Sequence, residues 1–173
     1  IKKQTGIKKV RMPYSVLRKI SYVFRESNFE VQCVIRSTEN DIFIYDVYKK
    51  DEKVVIGGLA IDIGTTTVSA LLIDMKSGEI LGKASSGNGQ IRYGADVINR
   101  IIESRKPGGE AKLQKAIIDE TLNPMLHNMC RAAGIKGSQI YHMCIASNTT
   151  MNHLLLGVNA DPLRMEPYIP DFF

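Results

Sequence analysis

Residues 59–74 constrain this chain more than any other stretch. Leu59-Ala60-Ile61-Asp62-Ile63 is an apolar run of strand length, Gly64-Thr65-Thr66-Thr67 interrupts it, and Val68 to Asp74 resumes it. Short apolar runs bounded by turn residues read as buried strands, with glycine suited to the bend and threonine to the strand on either side. Lys76-Ser77-Gly78 follows as a short turn in which glycine takes a positive φ, and Glu79 to Ser86 reads as a third strand. The spacing predicts an antiparallel meander with strands over 59–63, 67–74 and 79–86.

Gly87-Asn88-Gly89 breaks that pattern, and helical spacing takes over at Val97, Ile98, Ile101 and Ile102, up to Pro107-Gly108-Gly109. A longer helix follows, with Leu113, Ala116, Ile117, Leu122, Leu126, Met129, Cys130 and Ala133 on its apolar face and Gly134 as its stop. Pro124 falls inside it and is expected to kink or split it, since proline lacks a donor and clashes one turn back. Ile140 to Ala146 reads as a fourth buried strand, and Asn148 as the cap of a helix through Met151 to Leu156.

A seam at Lys49-Lys50-Asp51-Glu52-Lys53 divides the chain. Residues 1–53 read as the end of a small α+β domain. Pro13 opens a helix whose apolar face carries Tyr14, Leu17, Ser21 and Phe24 beside Ile20 and Val23. Two alternating runs, 31–35 and 42–47, then flank polar residues 37–41 as a strand pair. One helix and two strands bury little apolar surface, so this block is expected to be incomplete. Residues 54–173 form the second, α/β unit.

The charge is uneven. Eight basic residues, Lys2, Lys3, Lys8, Lys9, Arg11, Arg18, Lys19 and Arg25, precede the first acid, Glu26. Aromatic residues are not interleaved with them as in a base-stacking surface, so they read as a solvated face rather than a nucleic-acid site. No apolar run reaches the roughly 20 residues of a membrane span, and no secretory leader opens the sequence, so a cytoplasmic place is expected. Cys33, Cys130 and Cys144 form no Cys-x-x-Cys pair. They offer neither a zinc nor an iron–sulfur site and read as buried free thiols. His127, His142 and His153 show no metal-ligand spacing.

A phosphate chain needs several aligned donors and a close approach of the backbone. The Gly-x-x-x-x-Gly-Lys-Ser/Thr and Gly-x-Gly-x-x-Gly solutions are both missing. The remaining solution is a hairpin turn closed over the β- and γ-phosphates. Gly64 would admit the backbone, and Thr65, Thr66 and Thr67 would supply N–H groups and hydroxyls. Asp62, read as a buried carboxylate in need of a partner, would face Mg²⁺ through water. Asn148, Thr149 and Thr150 follow the fourth strand, where they line a cleft or simply cap a helix, and both can hold at once. Asp96 and Arg100, one turn apart, read as a surface pair.

Three segments carry a resemblance. Gly58-Leu59-Ala60-Ile61-Asp62-Ile63-Gly64-Thr65-Thr66-Thr67 resembles the first phosphate motif of the actin, heat-shock chaperone and sugar-kinase ATPase superfamily. Gln90-Ile91-Arg92-Tyr93-Gly94-Ala95-Asp96-Val97-Ile98-Asn99-Arg100-Ile101 and Asn148-Thr149-Thr150-Met151-Asn152-His153-Leu154-Leu155-Leu156-Gly157 are similar to the reductive activators of corrinoid proteins. The resemblance runs over about residues 57–170 and, more weakly, back through the first block, which is similar to that family's middle domain. It implies a ribonuclease H-like first lobe of an actin-like ATPase domain, with Asp62, Gly64, Thr65, Thr66, Thr67, Asn148 and Thr149 at the nucleotide. It also implies ATP and Mg²⁺ as ligands, a corrinoid protein as partner, and an ATPase that drives an electron onto a Co(II) corrinoid. The family's plant-type [2Fe–2S] cluster has no counterpart among the cysteines here. The second phosphate motif and the adenosine-binding glycines are also missing, so the chain reads as an internal segment. A small-molecule kinase and a non-catalytic actin-like assembly protein are the alternatives within the superfamily, and a homodimer stays open.

Overall fold

A computed structural model of the chain describes residue 6 and residues 9–172. The chain divides into two compact units, Ile1–Ile56 and Gly57–Phe173.

In the first unit, β1 (Lys9–Arg11), α1 (Tyr14–Glu26), β2 (Val31–Ser37) and β3 (Asp41–Lys49) build a three-stranded sheet in the order β1-β3-β2. The β2–β3 pair is antiparallel, with an irregularity between Val34 and Ile35, while β1 adds to β3 in parallel. The core is Val16, Val23, Ile42, Ile44 and Val47, with Ile20 packed against it. The helix therefore buries the Val16, Ile20, Val23 stripe. Tyr14 and Leu17, expected on the apolar face, lie 74% and 53% exposed. The spacing i, i+4, i+7 serves either stripe, and the sheet decides which one it covers. Arg11 pairs with Asp41 and Lys19 with Asp46, so part of the basic stretch is neutralised within the fold. Lys2, Lys3 and Lys8 lie outside the described residues.

In the second unit, β4 (Gly57–Ile63), β5 (Thr67–Asp74), β6 (Ile80–Gly87) and β7 (Ile140–Ser147) form a sheet in the order β6-β5-β4-β7. The first three are the antiparallel meander, with Ile63 opposite Val68 and Thr67 opposite Gly87. Strand β7 returns parallel to β4, Ile63 beside Ser147. Strand alternation sends Leu59, Ile61, Ile63, Val68, Ala70 and Leu72 to one face. There they meet Ile101 of α2 (Val97–Ser104), Leu113 and Ile117 of α3 (Gly109–Ile117), Met125 and Met129 of α4 (Asn123–Ala132), and Met151 and Leu154 of α5 (Thr149–Leu156).

The opposite face is open. Ala60, Asp62, Ser69, Leu71, Lys83, Ser85, Cys144 and Ala146 line a trough of about 740 Å³ there. Strand β7, expected to be buried, is an edge strand with Met143 and Ile145 exposed. An apolar run alone cannot tell a central strand from an edge one. Cysteine burial also departs from expectation: Cys130 is buried, Cys33 partly so, and Cys144 is exposed.

The long helix is divided just before Pro124, as expected, though by a widened turn rather than a break. A π-helical turn, Ile118–Leu122, lies between α3 and α4, and Asn123 N–H bonds Ile118 C=O five residues back. Widening the helix one turn before the proline relieves the ring's clash and accommodates its missing donor. The hydroxyl of Thr121 donates to Ala116 C=O at 2.8 Å and accepts Gly89 N–H at 3.1 Å. A Cβ on Gly89 would lie 2.7 Å from Ala116 O, so only glycine permits this approach.

Candidate phosphate loop

The turn from β4 to β5 runs through Gly64, Thr65 and Thr66. Gly64 N–H donates to Thr67 C=O at 2.9 Å and closes it. A Cβ at position 64 would sit 2.6 Å from that same oxygen, so the absence of a side chain is a steric requirement.

Every carbonyl of the turn is tied back into the protein. Asn88 Nδ2 donates to Gly64 C=O at 2.9 Å, and Asn88 N–H donates to Thr66 C=O at 2.8 Å. Arg100 Nη2 donates to Thr65 C=O at 2.6 Å. Among the described residues, no acceptor takes the N–H of Thr65 or Thr66. Thr66 and Thr67 are exposed and Thr65 partly so. A turn whose acceptors are engaged and whose donors are spare carries local positive potential.

Asn88 can do this because it heads a 3-10 turn, Gly89–Tyr93, with its side-chain oxygen accepting Gln90 N–H at 2.9 Å. It is only 1% exposed. On the far side, Asn148 caps α5 by accepting Met151 N–H at 2.9 Å, while its Nδ2 donates to Thr65 Oγ1 at 3.2 Å. The parallel pairing of β7 with β4 brings the two loops together, because parallel strands end at the same edge of a sheet. Thr149 is the first residue of α5 and is exposed beside that loop.

Asp62 is not buried. It lies exposed on the open face, opposite Ser69 on one side and Ala146 on the other. The strand's alternation requires this, since Ile61 and Ile63 take the core side. Its carboxylate makes no ion pair among the described residues. Asp96 and Arg100 do not form a surface couple either. Asp96 caps α2, accepting Asn99 N–H at 2.8 Å, and this bond holds its carboxyl below the usual carboxylate range. Arg100 is 0% exposed and turns inward, and burial pushes its pKa below the ordinary guanidinium value.

Sequence reasoning thus missed Asn88, Gln90 and Arg100. The available signals were an asparagine set between two glycines and an arginine next to an apolar position, Ile101.

Residues 57–173 match the family model described as "RACo middle region". The chain is 36% identical over 157 residues to the corrinoid activation enzyme RamQ of Eubacterium limosum, a match covering 90% of this chain and 26% of that protein. A solved structure of a reductive activator for a corrinoid, iron–sulfur protein superposes with a TM-score of 0.80 at 33% identity, over 98% of this chain and 27% of the other. The chain therefore spans about a quarter of the length of these relatives. The fold is that of the first lobe of an actin-like ATPase domain preceded by a small α+β unit.

Proposed function

This chain belongs to the RACo middle-region family of reductive activators of corrinoid proteins, and from that membership we propose that its Gly64–Thr67 turn holds the β- and γ-phosphates of Mg·ATP. The observation that carries this reading is the turn itself, with its carbonyls bonded backwards and the N–H groups of Thr65 and Thr66 spare. Thr65, Thr66 and Thr67 add hydroxyls, and bonds from such donors to a charged phosphate are the strong kind. Asn148 fixes Thr65 from the side, and Thr149 stands where the positive end of α5 adds to the same field. Asp62, exposed and without a cation of its own among the described residues, is the residue that would hold Mg²⁺ through water. The nucleotide supplies the free energy that places an electron on the Co(II) corrinoid of a methyl-transferring partner protein.

The three cysteines do not fit a [2Fe–2S] cluster. Cys130 is buried and Cys144 exposed, and no group of three metal-ligating side chains occurs among the described residues. Electron carriage is therefore assigned to other parts of the activator. Three free thiols suit a reducing, cytoplasmic setting.

Calorimetric titration of the full-length protein with ATP, with and without Mg²⁺, tests the reading. Wild type should bind at one site per chain, and Asp62→Ala should weaken Mg·ATP far more than Mg-free ATP. Equal losses in the two titrations would make Asp62 structural, and a wild type that binds neither form would remove the nucleotide reading altogether.

A further inference from the structure

Arg100 is the largest fully buried side chain among the described residues. Its Nε donates to Gly94 C=O at 2.8 Å and its Nη2 to Thr65 C=O at 2.6 Å. Its Nη1 reaches Gln90 Oε1 and the Met151 sulfur, each at 3.4 Å. All four partners are neutral. Asp96, a turn earlier, is exposed and already occupied by the backbone N–H and side-chain amide of Asn99, each at 2.8 Å.

A buried cation with neutral partners is unfavourable for the free protein, because desolvation is offset only by hydrogen bonds. Holding one carbonyl would not require it, since Asn88 does the same for Gly64 with a neutral amide. Asp96 offsets this charge only in part, without a direct bond and by less than burial opposes it, while the bond to Thr65 brings the charge to the turn, whose Thr65 N–H and hydroxyl belong to the outward-facing donor set. Through a low-dielectric interior a charge acts over longer range than through water.

We propose that Arg100 is a positioning residue for the phosphate loop, drawing the Thr65 carbonyl into the core and placing a buried positive charge with no directly bonded counter-ion behind the loop, so that affinity grows with the number of phosphates. The inference rests on the phosphate reading given above. Gln90 is the second element of the device. It solvates the guanidinium through Oε1 without neutralising it, while its Nε2 donates to Leu113 C=O at 3.0 Å.

Adenosine, ADP and ATP, titrated without Mg²⁺ into the full-length protein, form a charge ladder for the test. Arg100→Met should weaken ATP at least a hundredfold, ADP less, and adenosine less than twofold. Gln90→Glu keeps the guanidinium on Thr65 but neutralises it, and should weaken ATP about tenfold with the same graded pattern. Arg100→Lys keeps the charge but loses the fork, and should fall between wild type and Arg100→Met. Should Arg100→Met not fold, the other two variants decide the matter. A loss equal across the three ligands, or no loss in Gln90→Glu, overturns the proposal and leaves the phosphate loop standing. A wild type that binds none of the three overturns both.

Discussion

Replacing Asn88 with alanine should loosen the Gly64–Thr67 turn from behind. The side chain, 1% exposed, makes two strong bonds, Nδ2 to Gly64 C=O at 2.9 Å and Oδ1 from Gln90 N–H at 2.9 Å, and a long one from Nδ2 to the Met151 sulfur at 3.8 Å. Truncation leaves one acceptor and one donor without partners, each costing about 1–3 kcal/mol when buried. Water entering the vacated space offsets part of that, so about 2–4 kcal/mol is expected in total. The loss is local, because the strand ladder on either side stays intact. Hydrogen exchange in the intact protein resolves it at the amides of Gly64 and residue 88, which donate to Thr67 and Thr66 carbonyls. Their opening should become about 30- to 800-fold more frequent, since about 1.4 kcal/mol is tenfold. Amides of β2 and β3 in the first unit serve as the internal control and should not change. A change below threefold at Gly64, or an equal change in the control strands, would refute the claim that Asn88 is what braces the turn.

Gly64→Ala should abolish ATP affinity in the full-length protein, because the new methyl would lie 2.6 Å from Thr67 O and force the turn open; unchanged affinity by calorimetry would show that the turn adapts. Iodoacetamide should label Cys144 promptly and Cys130 only after unfolding, since burial covers Cys130 and raises its pKa while Cys144 is exposed; peptide mass spectrometry reads both. Asp96 is held below its ordinary value by the Asn99 N–H, so its contribution is present above the unfolded carboxylate range and is lost as pH falls through the lowered value. Wild type should therefore lose more stability than Asp96→Asn between about pH 4 and 2, and parallel acid melts would count against the cap.

The meander was legible because strand alternation and glycine turns are local, and β4, β5 and β6 fall close to where the spacing puts them. The capping of α5 by Asn148 was legible for the same reason. What escaped was everything decided by which neighbour a residue meets. Tyr14 and Leu17 lie on an apolar stripe, yet the sheet leaves both exposed and covers Val16 beside the expected Ile20 and Val23. Ile140 to Ala146 reads as buried until the strand order sets it at the edge. Arg100 and Asp96 have the spacing of a surface pair, but Arg100 is drawn inward by a carbonyl thirty-five residues away in sequence. Charge patterning along one helix carries no record of that acceptor, so a buried arginine and a solvated one look alike.

The π turn has a consequence for helix phase. Leu113, Ile117, Thr121, Met125 and Met129 recur every four residues, and all five are buried. On a regular α-helix, at about 100° per residue, four such steps would carry the stripe about 160° around the axis, and Met129 would face away from the sheet. A π turn is equivalent to one inserted residue, which subtracts about 100° and leaves the stripe within about 60° of its start. A plain four-residue repeat can therefore lie along one side of a sheet for the full length of the helix. Deleting one residue from Ile118–Leu122 would keep both halves in phase, but it would press the Pro124 ring against the preceding turn again. It would also disturb Thr121, whose hydroxyl holds Gly89, next to the asparagine that braces the Gly64–Thr67 turn.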